Sequence, residues 1–270
     1  IQKQLIGKSN KTNIMKQSDV SMNKFIIIMP CYNVAKWVAL NIQLTKQQSF
    51  SNFECHIIND GSTDNSEDII LDNIKGDSRF VYHKNKTNTG SSLYSYYTTF
   101  HKINPNDQDI VIWLDGDDWF SSVFALQYLD QYYDITKCWM TYGTYQIFPS
   151  GNDGSHHCID IPAEIHKNHA YRQWMHVYSH LRTHRAFLFK KLEESDLIDS
   201  RSGKFYTEAT DCAYLFSLAE LCGSADRIKC IKDILLVLNR TNPNQAAGNL
   251  QKQKATEQHI RSLTPKEKII

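Results

Sequence analysis

The sequence predicts an α/β fold in which helices flank a mostly parallel sheet within a single domain. Apolar segments with the length of buried strands alternate with segments of helical periodicity between residues 25 and 114. Strands that alternate with helices in this way join into parallel sheets through right-handed crossovers. A chain of 270 residues is also long enough to bury one sizeable core.

The first half of the chain shows this alternation most clearly. Pro30 closes the first apolar segment, Ser62, Thr63 and Asp64 supply capping side chains for a helix, and Gly76 ends that helix. The third strand has the composition of an edge strand. The predicted strands are Phe25–Met29, Phe53–Ile58, Arg79–His83 and Ile110–Leu114, and the predicted helices are Ala35–Gln48, one that follows Asp64 and runs to Lys75, and Gly90–Ile103.

The second half is less regular, and the pattern leaves Ala186–Glu193 ambiguous. It predicts helices at Ser122–Tyr133, Ala163–Met175 and Asp211–Leu221, strands at Trp139–Phe148 and Ile228–Leu238, and a loop at Pro149–His157. No composition shift marks a boundary, so we predict one domain over residues 24–240, with halves at 24–120 and 121–240. A polar tail at residues 1–23 would precede this domain, and an extension at residues 241–270 would follow it.

Composition narrows the functional classes. Thirty basic and twenty-nine acidic residues give a net charge of +1, which argues against a nucleic-acid-binding protein. No apolar stretch approaches the roughly 18 residues that span a bilayer, and no signal peptide is evident. The seven cysteines are scattered without a CxxC pair, which favours reduced thiols and a location in the cytoplasm or at the cytosolic face of a membrane.

Polar clusters follow three of the predicted strands directly. The carboxyl ends of parallel strands meet at one edge of a sheet, where ligands bind in such folds. We therefore expect the three clusters to form one composite site. They are Pro30-Cys31-Tyr32-Asn33, Asn59-Asp60-Gly61-Ser62 and Asp115-Gly116-Asp117-Asp118.

The third cluster places three carboxylates within four residues. Carboxylates this close repel one another unless a cation neutralises them, and hard oxygen ligands suit Mg²⁺ or Mn²⁺. The alternative is a solvated acidic turn, since Asp and Gly both favour turns.

Single residues in the other clusters have binding chemistry as well as structural explanations. Asp60, with Ser62 nearby, could accept a hydrogen bond from a nucleobase, or the pair could only form a turn before a helix. Tyr32 offers a face on which a base could stack, although its segment also simply ends a strand. Gly90 stands at a predicted helix start, where the backbone can approach a ligand closely.

Together these motifs resemble the family 2 glycosyltransferases of the GT-A fold over residues 24–240. They occur in the family's order as Pro-x-Tyr-Asn, Asp-Gly-Ser-x-Asp, Asn-x-Gly and Leu-Asp-x-Asp-Asp. The resemblance implies a nucleotide-sugar site that includes Pro30, Asn33, Ser62 and Gly90 beside four residues with more definite roles. Those four are Tyr32 and Asp60 near the nucleobase, usually uracil, Asp115 on the ribose or sugar, and Asp117 on the metal. Asn59 departs from the family, which often has a second Asp there.

The resemblance also implies a catalytic base in the second half. The family uses the Asp of a Glu-Asp pair that opens a helix, and Asp211 matches it here although Thr210 replaces the Glu. Asp211 could instead be only a helix cap, and Glu208 could compete for the role of base. The segment from His180 to Arg185 contains Arg182, whose guanidinium could offset a diphosphate or simply belong to a solvated turn.

The implied function is inverting transfer of a sugar, with Mn²⁺ or Mg²⁺, from a nucleotide-diphosphate donor. A UDP-sugar is the favoured donor, and the acceptor is a hydroxyl of a glycan, protein or lipid. Two alternatives remain, a non-catalytic nucleotide-sugar-binding module and a sugar-1-phosphate nucleotidyltransferase. The second needs a Gly-rich loop after the first strand, where this chain has Pro30-Cys31-Tyr32-Asn33. The sequence leaves the sugar, the acceptor, the oligomeric state and the roles of His180 and His184 open.

Overall fold

A computed structural model describes residues 23–243 and 250–270. Most of the tail expected at residues 1–23, and residues 244–249 of the expected extension, lie outside the described residues. The strands are β1 (Phe25–Cys31), β2 (Phe53–Asn59), β3 (Phe80–Lys84), β4 (Ile110–Trp113), β5 (Trp119–Phe120), β6 (Met140–Phe148), β7 (Thr183–Arg185), β8 (Ile198–Asp199), β9 (Lys204–Phe205) and β10 (Ile228–Asn239). The α-helices are α1 (Val38–Lys46), α2 (Ser66–Ile74), α3 (Ser92–Ile103), α4 (Ala125–Thr136), α5 (Ala163–Lys167), α6 (Ala186–Phe189), α7 (Thr210–Cys222) and α8 (Leu250–Ser262).

The main sheet has eight strands in the order β3-β2-β1-β4-β7-β6-β10-β5. Strands β1 to β4 pair in parallel, and β6 pairs in parallel with β10. The short strand β7 runs antiparallel between β4 and β6, and β5 runs antiparallel to β10 at the far edge. The predicted mostly parallel α/β sheet is therefore confirmed, with β3 at an edge as expected.

Strand β1 shows why the sheet is buried on both faces. Its side chains alternate in direction, so Phe25, Ile27 and Met29 pack in one core while Ile26 and Ile28 pack in the other. Helices α1, α2 and α4 contribute apolar side chains to the first core. Helices α3, α6 and α7 contribute to the second, which makes a three-layer arrangement of helices around the sheet.

Several predicted helices differ from the structure at their ends, and one is much shorter than predicted. Helix α2 begins at Ser66 rather than next to Asp64, although the Asp64 carboxylate does accept a hydrogen bond from the Ser66 amide at 3.0 Å. The helix predicted to reach Met175 ends at Lys167. Beyond it, the Arg172 guanidinium donates to Glu220 Oε1 at 2.6 Å and ties the chain to α7, and this tertiary contact overrides local helical periodicity.

The part of the expected C-terminal extension at α8 belongs to the folded unit. Ile260 of α8 is fully buried in the core that α7 also lines, and its carbonyl oxygen accepts from Arg172 Nη1 at 2.6 Å. Among the described residues, no helix combines the length and the apolar character that a membrane crossing needs.

Candidate active site

A cleft of about 820 Å³ opens at the carboxyl ends of β1, β2 and β4. All three strand-end clusters contribute to it, together with the start of α7 and one side of α8. The residues expected in the site that line the cleft are Pro30, Tyr32, Asp60, Gly90, Asp115, Asp117, Arg182 and Asp211.

Asp60 fixes the loop that carries Gly90. Its buried carboxylate accepts from Asn85 Nδ2 at 2.7 Å and from the Thr89 hydroxyl at 2.9 Å. The next residue, Gly61, has a φ of +67°, and a Cβ there would lie 2.5 Å from the Asn88 backbone nitrogen. The loop at 85–90 can therefore approach β2 this closely only because position 61 lacks a side chain.

Asn33 and Ser62 do not line the cleft. The Asn33 amide donates to Ser62 Oγ at 3.0 Å, and Asn33 Oδ1 accepts from the Thr63 amide at 2.8 Å. These bonds join the loop after β1 to the loop after β2. Tyr32, in contrast, lines the cleft with 39% of its surface exposed, so its ring is available to a ligand.

Each carboxylate of the acidic cluster has a partner that fixes its position. Asp115 Oδ1 accepts from Trp113 Nε1, Asp118 Oδ1 accepts from the Asn239 amide, and Asp117 Oδ2 accepts from Asn242 Nδ2, each at 2.8 Å. Gly116 allows the turn to pack against β1, because a Cβ there would overlap Cys31 Sγ. The end of β10 and the segment that follows it therefore hold two of the three carboxylates in place.

The acidic cluster is electrostatically strained. Burial raises the pKa of Asp115 to about 6, and the neighbouring Asp117 carboxylate adds to the effect. Burial, together with Asp115 and Asp117, also raises the pKa of Asp118 well above its usual range. Carboxylates that resist ionisation in this way would be stabilised by a cation.

The side chains present fit a divalent cation. Ligand atoms of Asp115, Asp118 and His180 lie within 4.8 Å of one another. The buried Nδ1 atom of His180 has no hydrogen-bond partner among the described residues. Burial, reinforced by Arg182, lowers the pKa of His180 well below its usual range, so its ring is neutral and can act as a ligand. Two carboxylates and an imidazole suit Mn²⁺, and Asp117, the expected metal ligand, lines the same cleft.

Asp211 lies across the cleft in the first turn of α7. Its Oδ2 atom is 3.3 Å from Arg182 Nη2 and 3.8 Å from His176 Nε2. Burial raises the pKa of Asp211, but interactions that lower it, the charge of Arg182 first among them, outweigh burial and bring the pKa to about 2. The residue at the N-cap is Ala209, with a φ of 50°, so Asp211 is not the cap of this helix.

Glu208 does not line the cleft. Its Oε2 atom accepts from the Thr207 hydroxyl at 2.6 Å, and its Oε1 atom is 3.4 Å from Lys252 Nζ on α8.

Only part of the basic segment from His180 to Arg185 faces the cleft. His180 and Arg182 face the cleft, whereas His184 bonds the Tyr96 hydroxyl at 2.9 Å and Arg185 Nη1 donates to the Gln108 carbonyl at 2.6 Å.

Several side chains that line the cleft carry no local sequence signal of a site. They come from an irregular loop, the segment that follows β10 and one side of α8, and no sequence motif marks these segments. They are His176, Arg240, Asn242, Gln253 and Glu257. His180 also lines the cleft, and its place in the His-x-Arg segment was a sequence signal for it.

Comparisons with known proteins agree with this geometry. The family model described as glycosyl transferase family 2 matches residues 26–195. Glycosyltransferase GlyA of Streptococcus pneumoniae serotype 4 is 31% identical over 103 residues, which is 38% of this chain and 14% of that protein. The chain thus covers only about a seventh of this relative's length.

Two solved structures share the fold at low identity. Residues 1–349 of S. aureus TarS in complex with UDP-GlcNAc match with a TM-score of 0.57 and 16% identity, covering 83% of this chain and 61% of that one. Mannosyltransferase PcManGT from Pyrobaculum calidifontis, in complex with GDP-Man and Mn²⁺, matches with a TM-score of 0.56 and 14% identity, covering 92% of this chain and 68% of that one. Because the family model matches more than half of the chain and the fold is of the GT-A type, this protein belongs to glycosyl transferase family 2.

Proposed function

We propose that this chain transfers a sugar from a nucleotide-diphosphate donor to a hydroxyl group, with inversion at the anomeric carbon. The observation that carries the proposal is the placement of the acidic cluster and Asp211 in one cleft, with Arg182 close to both. A cleft of this kind can hold the leaving diphosphate at one wall and the attacking hydroxyl at the other. The TarS complexes with UDP and UDP-GlcNAc support a UDP-sugar as donor. We propose a hydroxyl of a glycan, protein or lipid as the acceptor.

The donor would occupy the side formed by β1, β2 and β4. Tyr32 offers an exposed ring on which uracil can stack, and Asp60 lines the same cleft. Pro30 and Gly90 contribute apolar and backbone surface to the same wall, and Asp115 would contact the ribose or the sugar. Asn33 and Ser62 act indirectly, since they fix the loop that carries Tyr32.

Asp115, Asp118 and His180, with Asp117 next to them, would hold Mn²⁺ or Mg²⁺. The cation supplies positive charge that stabilises the leaving diphosphate. The Mn²⁺ complex of PcManGT supports a divalent ion in this fold.

Asp211 would accept the proton of the attacking hydroxyl while the new glycosidic bond forms and the nucleoside diphosphate leaves from the opposite face. A single base suffices for this displacement, and no covalent enzyme intermediate forms. The low pKa of Asp211 makes it a weak base as long as Arg182 is paired with it. A diphosphate would compete for the Arg182 guanidinium, and this would raise the basicity of Asp211 when the donor is bound.

The first experiment is a thermal-shift panel of UDP-GlcNAc, UDP-glucose and GDP-mannose, each with and without Mn²⁺. A ligand that binds the native state raises the unfolding temperature, and we expect the largest rise with a UDP-sugar and Mn²⁺ together. Release of the nucleotide over time then separates an enzyme from a non-catalytic module. If no donor shifts the transition, or if donors bind without any release of nucleotide, the proposal is wrong.

The seven cysteines are all free thiols and all buried. This supports our proposal that the chain works in a reducing compartment, in the cytoplasm or at the cytosolic face of a membrane.

A further inference from the structure

His176 is a cleft residue with an unused hydrogen-bonding atom. It lies on the loop that follows α5, and its side chain is about one-fifth exposed. The Nε2 atom itself is buried and has no hydrogen-bond partner among the described residues. A buried polar atom without a partner is costly, so a native structure that keeps one often does so for a ligand.

The orientation of this imidazole is fixed by its surroundings. The ring makes edge-to-face contacts with Tyr178 and Phe216, with centroids 5.6 and 5.7 Å away. The loop itself is anchored by Arg261, whose Nη1 atom donates to the carbonyl oxygens of Arg172 and Trp174 at 2.6 and 2.5 Å. His176 is therefore held in place before any ligand arrives, as preorganised binding groups are.

The unpaired nitrogen faces the proposed base across a short gap. The distance from His176 Nε2 to Asp211 Oδ2 is 3.8 Å, longer than the roughly 2.7–3.2 Å of a hydrogen bond. An oxygen atom about 2.8 Å from both atoms would lie to the side of the line that joins them. Burial lowers the pKa of His176, so the ring is neutral and one of its nitrogens can donate.

There is room for an acceptor beside this gap. A smaller cavity of about 320 Å³ adjoins the main cleft and is lined by both His176 and Asp211. Tyr145, Ser179 and Arg240 line its other sides. A molecule that occupies this cavity can bring a hydroxyl oxygen to the gap.

We propose that His176 is a further catalytic residue that binds the attacking hydroxyl, with Nε2–H donating to the hydroxyl oxygen while Asp211 accepts the proton. In the transfer step the O–H bond breaks and its proton goes to Asp211. The oxygen bonds to the anomeric carbon, and the bond between that carbon and the phosphate oxygen breaks. His176 keeps its proton and aims a lone pair of the oxygen at the sugar. This role rests on the proposed function of Asp211.

The test compares His176→Phe with His176→Gln. The Gln side chain can place its amide nitrogen near the position of Nε2 and still donate, whereas Phe fills the space without a donor. We expect His176→Phe to slow nucleotide release from UDP-GlcNAc or GDP-mannose, with Mn²⁺ and water as the nucleophile, by roughly 10–100-fold. His176→Gln should stay within about threefold of the wild-type rate, and the affinity for UDP should not change in either variant.

His101→Phe is the matched control, because His101 is exposed on α3 and does not line the cleft. A wild-type rate for His176→Phe would overturn the inference. Equal losses in the Phe and Gln variants would also overturn it, because the ring would then serve only packing.

Asp211→Asn, assayed in parallel, separates this inference from the proposed function. If Asp211→Asn is inactive and His176→Phe is fully active, only the role of His176 is wrong. If Asp211→Asn is fully active, the proposed base is wrong.

Discussion

The two sides of the cleft, which we name after the donor and the acceptor that we propose for them, are built in different ways. On the donor side, Tyr32, Asp60 and Asp115 each follow a strand within a few residues, so strand order alone brings them together. On the acceptor side, Arg182 and Asp211 come from a short antiparallel strand region and a helix start, and α8 completes the wall. The donor side depends on local sequence, and the acceptor side depends on tertiary packing.

The pKa values of two buried aspartates, one on each side, are also shifted in opposite directions. Burial among other carboxylates raises the pKa of Asp115 to about 6. Asp211 is also buried, but its neighbours, Arg182 first among them, lower its pKa to about 2. An acidic cluster that favours a cation therefore faces a carboxylate that stays ionised without one, and our proposal places the metal at the first and the base at the second.

The largest effect on the donor side should come from Asp117→Ala. Loss of this carboxylate should weaken binding of the cation that offsets the diphosphate charge. We therefore expect the affinity for UDP in excess Mn²⁺ to fall on the order of 100-fold or more. Titration calorimetry with UDP, with and without Mn²⁺, measures the change. Asp72→Ala, at an exposed position of α2, is the control, and unchanged UDP affinity in Asp117→Ala would remove Asp117 from the site.

A smaller effect should appear in the pH dependence of stability. The pKa of Asp115 is raised above its value in the unfolded chain. Its contribution to the free energy of unfolding is therefore fully present below about pH 4 and is lost as the pH rises through about 6. Asp115→Asn should remove this loss, which amounts to at most about 3 kcal/mol for a shift of this size.

Urea unfolding of the metal-free wild type and of Asp115→Asn, at pH 4, 5, 6 and 7, measures the difference. We expect the variant to gain stability relative to the wild type as the pH rises, and Mn²⁺ to reduce that gain. Parallel curves for the two proteins would show that the acidic cluster is not strained.

The sequence was sufficient for the sheet and the donor side because both depend on short-range patterns. The apolar run that buries β1 on two faces is visible in Phe25–Cys31 itself. The residues that follow each strand lie at its carboxyl end, so their place is known once the strand is known. Asn33 and Ser62 show the limit of this reasoning. They occupy the expected segments, but their side chains bond to the neighbouring loop instead of facing the cleft.

The acceptor side could not be predicted to the same extent, for a physical reason. Strand β7 is only three residues long and includes polar Thr183, whose hydroxyl is satisfied by Thr141 at 2.6 Å within the core. The loop that carries His176 is shaped by Arg172 and Arg261, whose partners lie more than 40 residues away. Such long-range contacts leave no periodic pattern in the local sequence.

The assignment of Asp211 as the base is the central claim, and paired variants test it most directly. Asp211→Asn and Glu208→Gln each remove one charge at neighbouring positions, one that lines the cleft and one that does not. The measurements are UDP affinity in Mn²⁺ and the rate of nucleotide release from the donor that the thermal-shift panel selects. We expect Asp211→Asn to keep or raise UDP affinity, because it frees Arg182, while release slows by roughly 10²–10⁴-fold, and Glu208→Gln to stay near the wild-type rate. A near-wild-type rate in Asp211→Asn together with an inactive Glu208→Gln would reverse the two roles and contradict the account.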